Sequence, residues 1–80
     1  MNQPRATTTP IDAPAGWKAL KYQSRETGSD YVCPRCHRSV PKSSQHVVAW
    51  PTDEDTQRRH WHSNCWHSAV KEGIEKYRFG

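Results

Sequence analysis

Apolar side chains are scarce in this sequence. They make up 32% of its 80 residues, mean hydropathy is −1.10, and the longest apolar stretch is Val47 to Trp50. A chain this small and this polar has too little interior to offset the conformational entropy lost on folding, so something besides a hydrophobic core must hold it together. No stretch approaches the roughly 20 apolar residues of a membrane-spanning helix. The first 16 residues also lack the apolar segment of a secretory signal, and the cytoplasm is the expected compartment. Cysteine is limited to three residues, an odd number that a disulfide framework cannot pair. No internal repeat is present, which limits the chain to one finger rather than an array.

The formal charge is +4. An excess of this size permits nucleic-acid binding without demanding it.

Residues 1–16 carry Pro4, Pro10, Pro14, a threonine run and Gly16, and read as a disordered tail. Residues 17–29 mix Trp17, Leu20 and Tyr22 with charge and show no clean period, which fits a short strand or a docking arm. The domain proper is expected over 30–80.

There Tyr31 and Val32 lead as a short strand into Cys33-Pro34-Arg35-Cys36, a knuckle whose two-residue spacer aims both sulfurs at one point. Residues 46–50 read as a strand rich in β-branched and aromatic residues, and 58–62 as its antiparallel return. An acidic loop of Asp53, Glu54 and Asp55 joins them. Ser63 is a candidate N-cap, and the spacing of Trp66, Ala69, Val70, Ile74 and Tyr77 predicts a helix over 64–77 with Cys65 in its first turn. The fold class expected is therefore a small α+β zinc-binding domain: a knuckle, a short β-hairpin and a C-terminal helix around one site.

The order is CxxC, twenty-five residues, then HxxC. Cys33, Cys36, His62 and Cys65 suit one tetrahedral Zn²⁺ with no position open for substrate, hence a structural ion and no enzyme. Other imidazoles lie close in sequence. His60 is the next candidate ligand and His67 a further one, with His37 and His46 read as surface or supporting residues. A single CxxC with one more cysteine does not supply the four thiolates of an iron–sulfur cluster.

The run Cys33-Pro-Arg-Cys36-His-Arg-Ser-Val-Pro41-Lys42-Ser43, with His60-Trp61-His62-Ser-Asn-Cys65-Trp66, resembles the zinc finger of poly(ADP-ribose) polymerases and DNA ligase III over about residues 30–74. The resemblance implies recognition of DNA strand breaks. Two arginines with which that family contacts phosphates are replaced here by Asp30 and His46. The ending HxxC-aromatic also resembles half of a LIM domain, a protein-binding unit.

Two functions follow as expectations. A nucleic-acid-binding or regulatory module would use Arg35, Arg38, Lys42, Trp50, Arg58 and Arg59, the cations on phosphates and the tryptophan on bases. A protein-interaction module would use an exposed Trp17 or Trp50 flanked by basic residues, with Trp61 and Trp66 left to fill the core. Neither needs a small-molecule substrate.

Overall fold

The computed structural model describes residues 6–26, 28 and 31–77. Among them six strands, one α-helix and two 3₁₀ turns appear in the order β1 (Ala6–Ile11), β2 (Trp17–Ser24), β3 (Tyr31–Val32), β4 (Ser39–Val40), β5 (His46–Pro51), a 3₁₀ turn (Asp55–Gln57), β6 (Arg59–Trp61), α1 (Ser63–Glu72) and a second 3₁₀ turn (Ile74–Tyr77). An antiparallel sheet of order β1-β2-β5-β6 forms the body, and β3-β4 is a separate two-stranded ribbon. This is the small α+β class expected from the sequence, with a larger sheet.

The sheet is larger because the N-terminal segment belongs to it. Residues 6–11, read from composition as part of a disordered tail, pair with β2 from Ala6↔Ser24 to Ile11↔Ala19. The threonine run favours extended backbone. Pro10, which removes a ladder donor, is tolerated because β1 is an edge strand. Residues 1–5 of the same reading lie outside the described residues. The segment beginning at Trp17 is likewise an eight-residue strand, paired with β5 through Trp17↔Pro51 to Tyr22↔His46. The folded unit thus begins well before residue 30.

The β1–β2 connection turns at Pro14-Ala15-Gly16-Trp17, where the Trp17 N–H donates to the Pro14 carbonyl at 3.0 Å. Gly16 has φ +85°, the left-handed third position of a type II turn. The expected hairpin is present, with register Val47↔Trp61, Val48↔His60 and Ala49↔Arg59.

The helix ends earlier than expected. It runs Ser63–Glu72, with His62 rather than Ser63 as the extended N-cap residue and no side-chain cap bond. Gly73, at φ +105°, stops it, and Ile74–Tyr77 continue as a 3₁₀ turn. A glycine that breaks regular geometry here costs little, because left-handed backbone is open to it.

Alternate residues of β2 and β5 send Trp17, Ala19, Val47 and Ala49 toward α1, where they meet Trp61, Trp66, Ala69 and Ile74, all at most 7% exposed. The aromatic rings form a chain. Trp17 lies 6.2 Å from Trp66, Trp66 meets Trp61 at 5.4 Å and 70°, and Trp61 meets Tyr77 at 5.2 Å and 81°. These offset and edge-on contacts tie β2, β6, α1 and the last turn into one core. Trp17 Nε1 donates to Glu75 at 3.2 Å. Trp61 Nε1 has no hydrogen-bond partner among the described residues.

Candidate metal centre

The knuckle is built by β3 and β4, which pair as Tyr31↔Val40 and Val32↔Ser39. Two backbone bonds close it: Cys33 N–H donates to the Arg38 carbonyl and His37 N–H to the Cys33 carbonyl, both at 2.9 Å. The turn needs one left-handed residue. His37 takes that conformation at φ 61°, a strained choice for a side chain other than glycine. From the other side of the sequence, the end of β6 delivers His62 and the first turn of α1 delivers Cys65.

The Sγ atoms of Cys33, Cys36 and Cys65 and a ring nitrogen of His62 all lie within 4.8 Å of one another. Cys36 Sγ is 3.3 Å from His62 Nδ1, and Cys65 Sγ is 3.9 Å from it. The other ring nitrogen, Nε2, donates to the Ser39 carbonyl at 3.0 Å. That bond fixes the proton on Nε2 and leaves Nδ1 as a lone pair facing the sulfurs, the usual arrangement behind a ligating histidine. Cys33 is fully buried and the other three are half-buried. The group can therefore hold one metal ion. Of the five histidines, only His62 joins the cluster among the described residues.

The thiols are unequal. Cys36 is pushed down to about 7, first by the backbone N–H of Arg38 and then by its thiol and imidazole neighbours. Cys65 is pushed up to about 11 by burial and by the thiols of Cys36 and Cys33. Sulfurs this close compete for ionisation, and a divalent cation between them removes the competition.

The predicted partner-binding cations have other engagements. Arg35 grips Glu72 with two bonds, Nε to Oε1 at 3.2 Å and Nη2 to Oε2 at 2.7 Å. Its guanidinium is held above its ordinary value, chiefly by that carboxylate and next by the Cys65 thiol. Lys42 Nζ is 3.9 Å from Glu26 and 5.9 Å above the Tyr31 ring. Arg58 stacks on Trp50, its guanidinium carbon 4.3 Å from the ring centroid. Arg38, Arg58 and Arg59 are exposed. Trp17 and Trp50, expected as exposed hot spots, are 7% and 8% exposed. Trp17 fills the core and Trp50 lies beneath Arg58, so neither is a free aromatic surface.

Two histidines outside the cluster have a defined place that the sequence alone does not assign them. His46 Nδ1 donates to the Ser44 carbonyl at 2.7 Å, and His46 Nε2 lies 2.7 Å from His60 Nδ1. Burial lowers the proton affinity of both, His60 to about 4. The ring of Tyr31 stacks on His60 at 3.4 Å and 2°, with Tyr22 edge-on to both. The available signal was that His46 and His60 lie on the two strands expected to pair.

Residues 8–67 match the model of a family described as "Rv1322 family protein". "Uncharacterized protein Rv1322" of Mycobacterium tuberculosis (strain ATCC 25618 / H37Rv) is 40% identical over 47 residues, 54% of this chain and 48% of that protein. "Uncharacterized protein Mb1356" of Mycobacterium bovis (strain ATCC BAA-935 / AF2122/97) gives the same identity and coverage. The chain spans about half the length of the curated relatives it matches. No solved structure matches it.

Proposed function

This chain belongs to the Rv1322 family, and from that premise we propose that it is a zinc-stabilised binding module that acts on nucleic acid and catalyses no reaction. The observation that carries the zinc reading is the convergence of Cys33, Cys36, His62 and Cys65. A tetrahedron with Zn–S about 2.3 Å and Zn–N about 2.0 Å has edges of roughly 3.5 to 3.8 Å. The contacts of His62 Nδ1 at 3.3 and 3.9 Å bracket that range. Soft thiolates with one imidazole favour zinc, and four protein donors close the coordination sphere. The ion's role is then structural. Binding of about 10 to 16 kcal/mol, typical of such sites, exceeds the few kcal/mol that a core this small supplies.

Nucleic acid is favoured by the excess of Lys and Arg and by the likeness of the ligand order to strand-break fingers. Metal analysis of the purified protein, with a chelator titration followed by circular dichroism, tests the first half. One zinc per chain and cooperative unfolding on its removal are expected. A cooperatively folded chain without metal overturns the reading.

A further inference from the structure

One face of the main sheet is covered by α1; the other carries residues outside the helix-side core cluster and the cysteine–histidine cluster, with His46, Val48 and Trp50 buried in it and Lys18 exposed. Register puts Lys18 opposite Trp50, Leu20 opposite Val48 and Tyr22 opposite His46 on that face, and β6 adds His60 opposite Val48. Two depressions open there. A larger one, about 400 Å³, includes Pro10, Asp12, Lys18 and Trp50 in its walls together with Trp17 and Ala19 from the helix side of the sheet. A smaller one, about 180 Å³, is walled by Thr8, Tyr22, Tyr31, Val48, Arg58 and His60. Leu20 stands in the wall of both, so they adjoin.

The smaller depression is chemically distinctive. Three of its walls are aromatic rings held by one another: Tyr31 flat on His60, Tyr22 edge-on to both. Its charged wall residue among the described residues is cationic, Arg58, and none of the described carboxylates lines it. Arg58 is itself positioned, because the buried indole of Trp50 lies 4.3 Å beneath its guanidinium. The hydrogen-bond chain adds a directional group. Ser44 offers His46 only a carbonyl, so a neutral His46 carries its proton on Nδ1 and accepts at Nε2 from His60 Nδ1–H. His60 Nε2 is left as an acceptor on a ring that lines the depression. Lys18 and Asp12 line the larger depression, while Lys42 stands beside Glu26 with its Nζ 5.9 Å from the centroid of the Tyr31 ring that walls the smaller one.

We propose that this face binds single-stranded nucleic acid, with one unstacked base entering the smaller depression beside Tyr22, Arg58 and His60 and the phosphates following Lys18 and Lys42. A sheet with a helix on one face and aromatics on the other is a general platform for splayed bases, which stack on rings and guanidinium planes. The bases of a duplex stay stacked inside it and cannot enter a recess this narrow. An acidic peptide would satisfy the cations but leave the aromatic walls and the His60 acceptor unused. The inference rests on the zinc reading, since β3 and β6, which supply Tyr31 and His60, flank the metal ligands.

The test is fluorescence anisotropy of the full zinc-loaded chain with single-stranded RNA and DNA of about 10 nucleotides, within the site size of such platforms. The matching duplex and a poly-glutamate peptide are the controls. Either single strand should bind with an affinity that falls as salt rises, ahead of both controls; which one binds tighter identifies the sugar. Arg58→Ala and Thr8→Glu change exposed positions, and each should weaken binding about tenfold or more with zinc content and circular dichroism unchanged. A zinc-loaded, folded chain that ignores both single strands, prefers the duplex or the peptide, or binds as well with both substitutions overturns the proposal and leaves the zinc reading standing. A folded chain without zinc instead sinks the latter.

Discussion

His62 Nε2 donates to the carbonyl of Ser39 across 3.0 Å, and that single bond decides which imidazole nitrogen faces the three thiols. Ser39 lies in β4, one of the two strands that present the knuckle, so the bond joins the two halves of the ligand set as well as orienting one member of it. A ligand at this position must therefore coordinate through Nδ1. His62→Cys supplies a thiolate from a shorter side chain and is expected to retain zinc, whereas His62→Ala is expected to lose it. Nitrogen-15 spectra of the zinc-loaded protein should show His62 protonated at Nε2. Protonation at Nδ1 would contradict the assignment.

Cys36→Ser leaves two thiolates and one imidazole, which no longer close the site. On the proposed zinc reading, in which metal binding supplies most of the free energy that holds the chain, this variant is expected to be largely unfolded. Wild-type circular dichroism and zinc content in the variant would count against a metal-dependent fold.

Glu72 is the point where the knuckle meets the helix end. Its carboxylate accepts from Arg35, from the Tyr77 hydroxyl at 3.0 Å, and lies 3.7 Å from Lys76. Arg35 first and Tyr77 second hold it down to about 2, from an ordinary value of 4.5. A lowered carboxyl favours the folded state fully above its unfolded value and loses that contribution as pH falls from 4.5 toward 2. The pair is exposed and its effect on stability modest. The midpoint itself is the clean readout: carboxyl chemical shifts should titrate near 2 in the wild type and return toward 4.5 in Arg35→Met. The same substitution should weaken zinc retention, since Arg35 also neighbours Cys65 and a Zn(Cys)₃(His) site carries net charge −1.

The metal site was legible because its information is local. Cys33-x-x-Cys36 and His62-x-x-Cys65 each lie within four consecutive residues, and only their convergence required the fold. The hairpin of β5 and β6 was legible for the same reason. What was not legible depended on partners far along the chain. β1 reads as a tail by composition and becomes a strand only because β2 offers it an edge. β2 shows no period because both of its faces are used: Trp17 and Ala19 pack on the helix side, Leu20 and Tyr22 on the other. Arg35 reads as a surface cation until Glu72, thirty-seven residues on, claims it. Trp50 reads as an exposed anchor until Arg58 covers it.

Trp66 is the hub of the core, touching both Trp17 and Trp61, and it directly follows Cys65, the last member of the candidate ligand set. At 2% exposure its truncation leaves a cavity between sheet and helix. Trp66→Ala should cost roughly 3 to 5 kcal/mol. If zinc dominates, the zinc-loaded variant still folds and shows a lower melting temperature, and chelation of it leaves no residual structure. Loss of fold even with zinc bound would show that core packing contributes more to stability than the metal does.

His37 tests the knuckle from the opposite direction, by removing strain rather than a contact. Its φ of 61° places an exposed side chain in left-handed backbone, at a cost of about 1 to 2 kcal/mol that glycine does not bear. The backbone bonds that close the turn belong to main-chain atoms and survive the substitution. Glycine also gives the unfolded chain more freedom, which offsets part of the gain. The net expectation for His37→Gly is tighter zinc binding by a few-fold, read by competition with a metallochromic chelator. Weaker binding would mean that the imidazole, and not the backbone it strains, is what the site needs at this position.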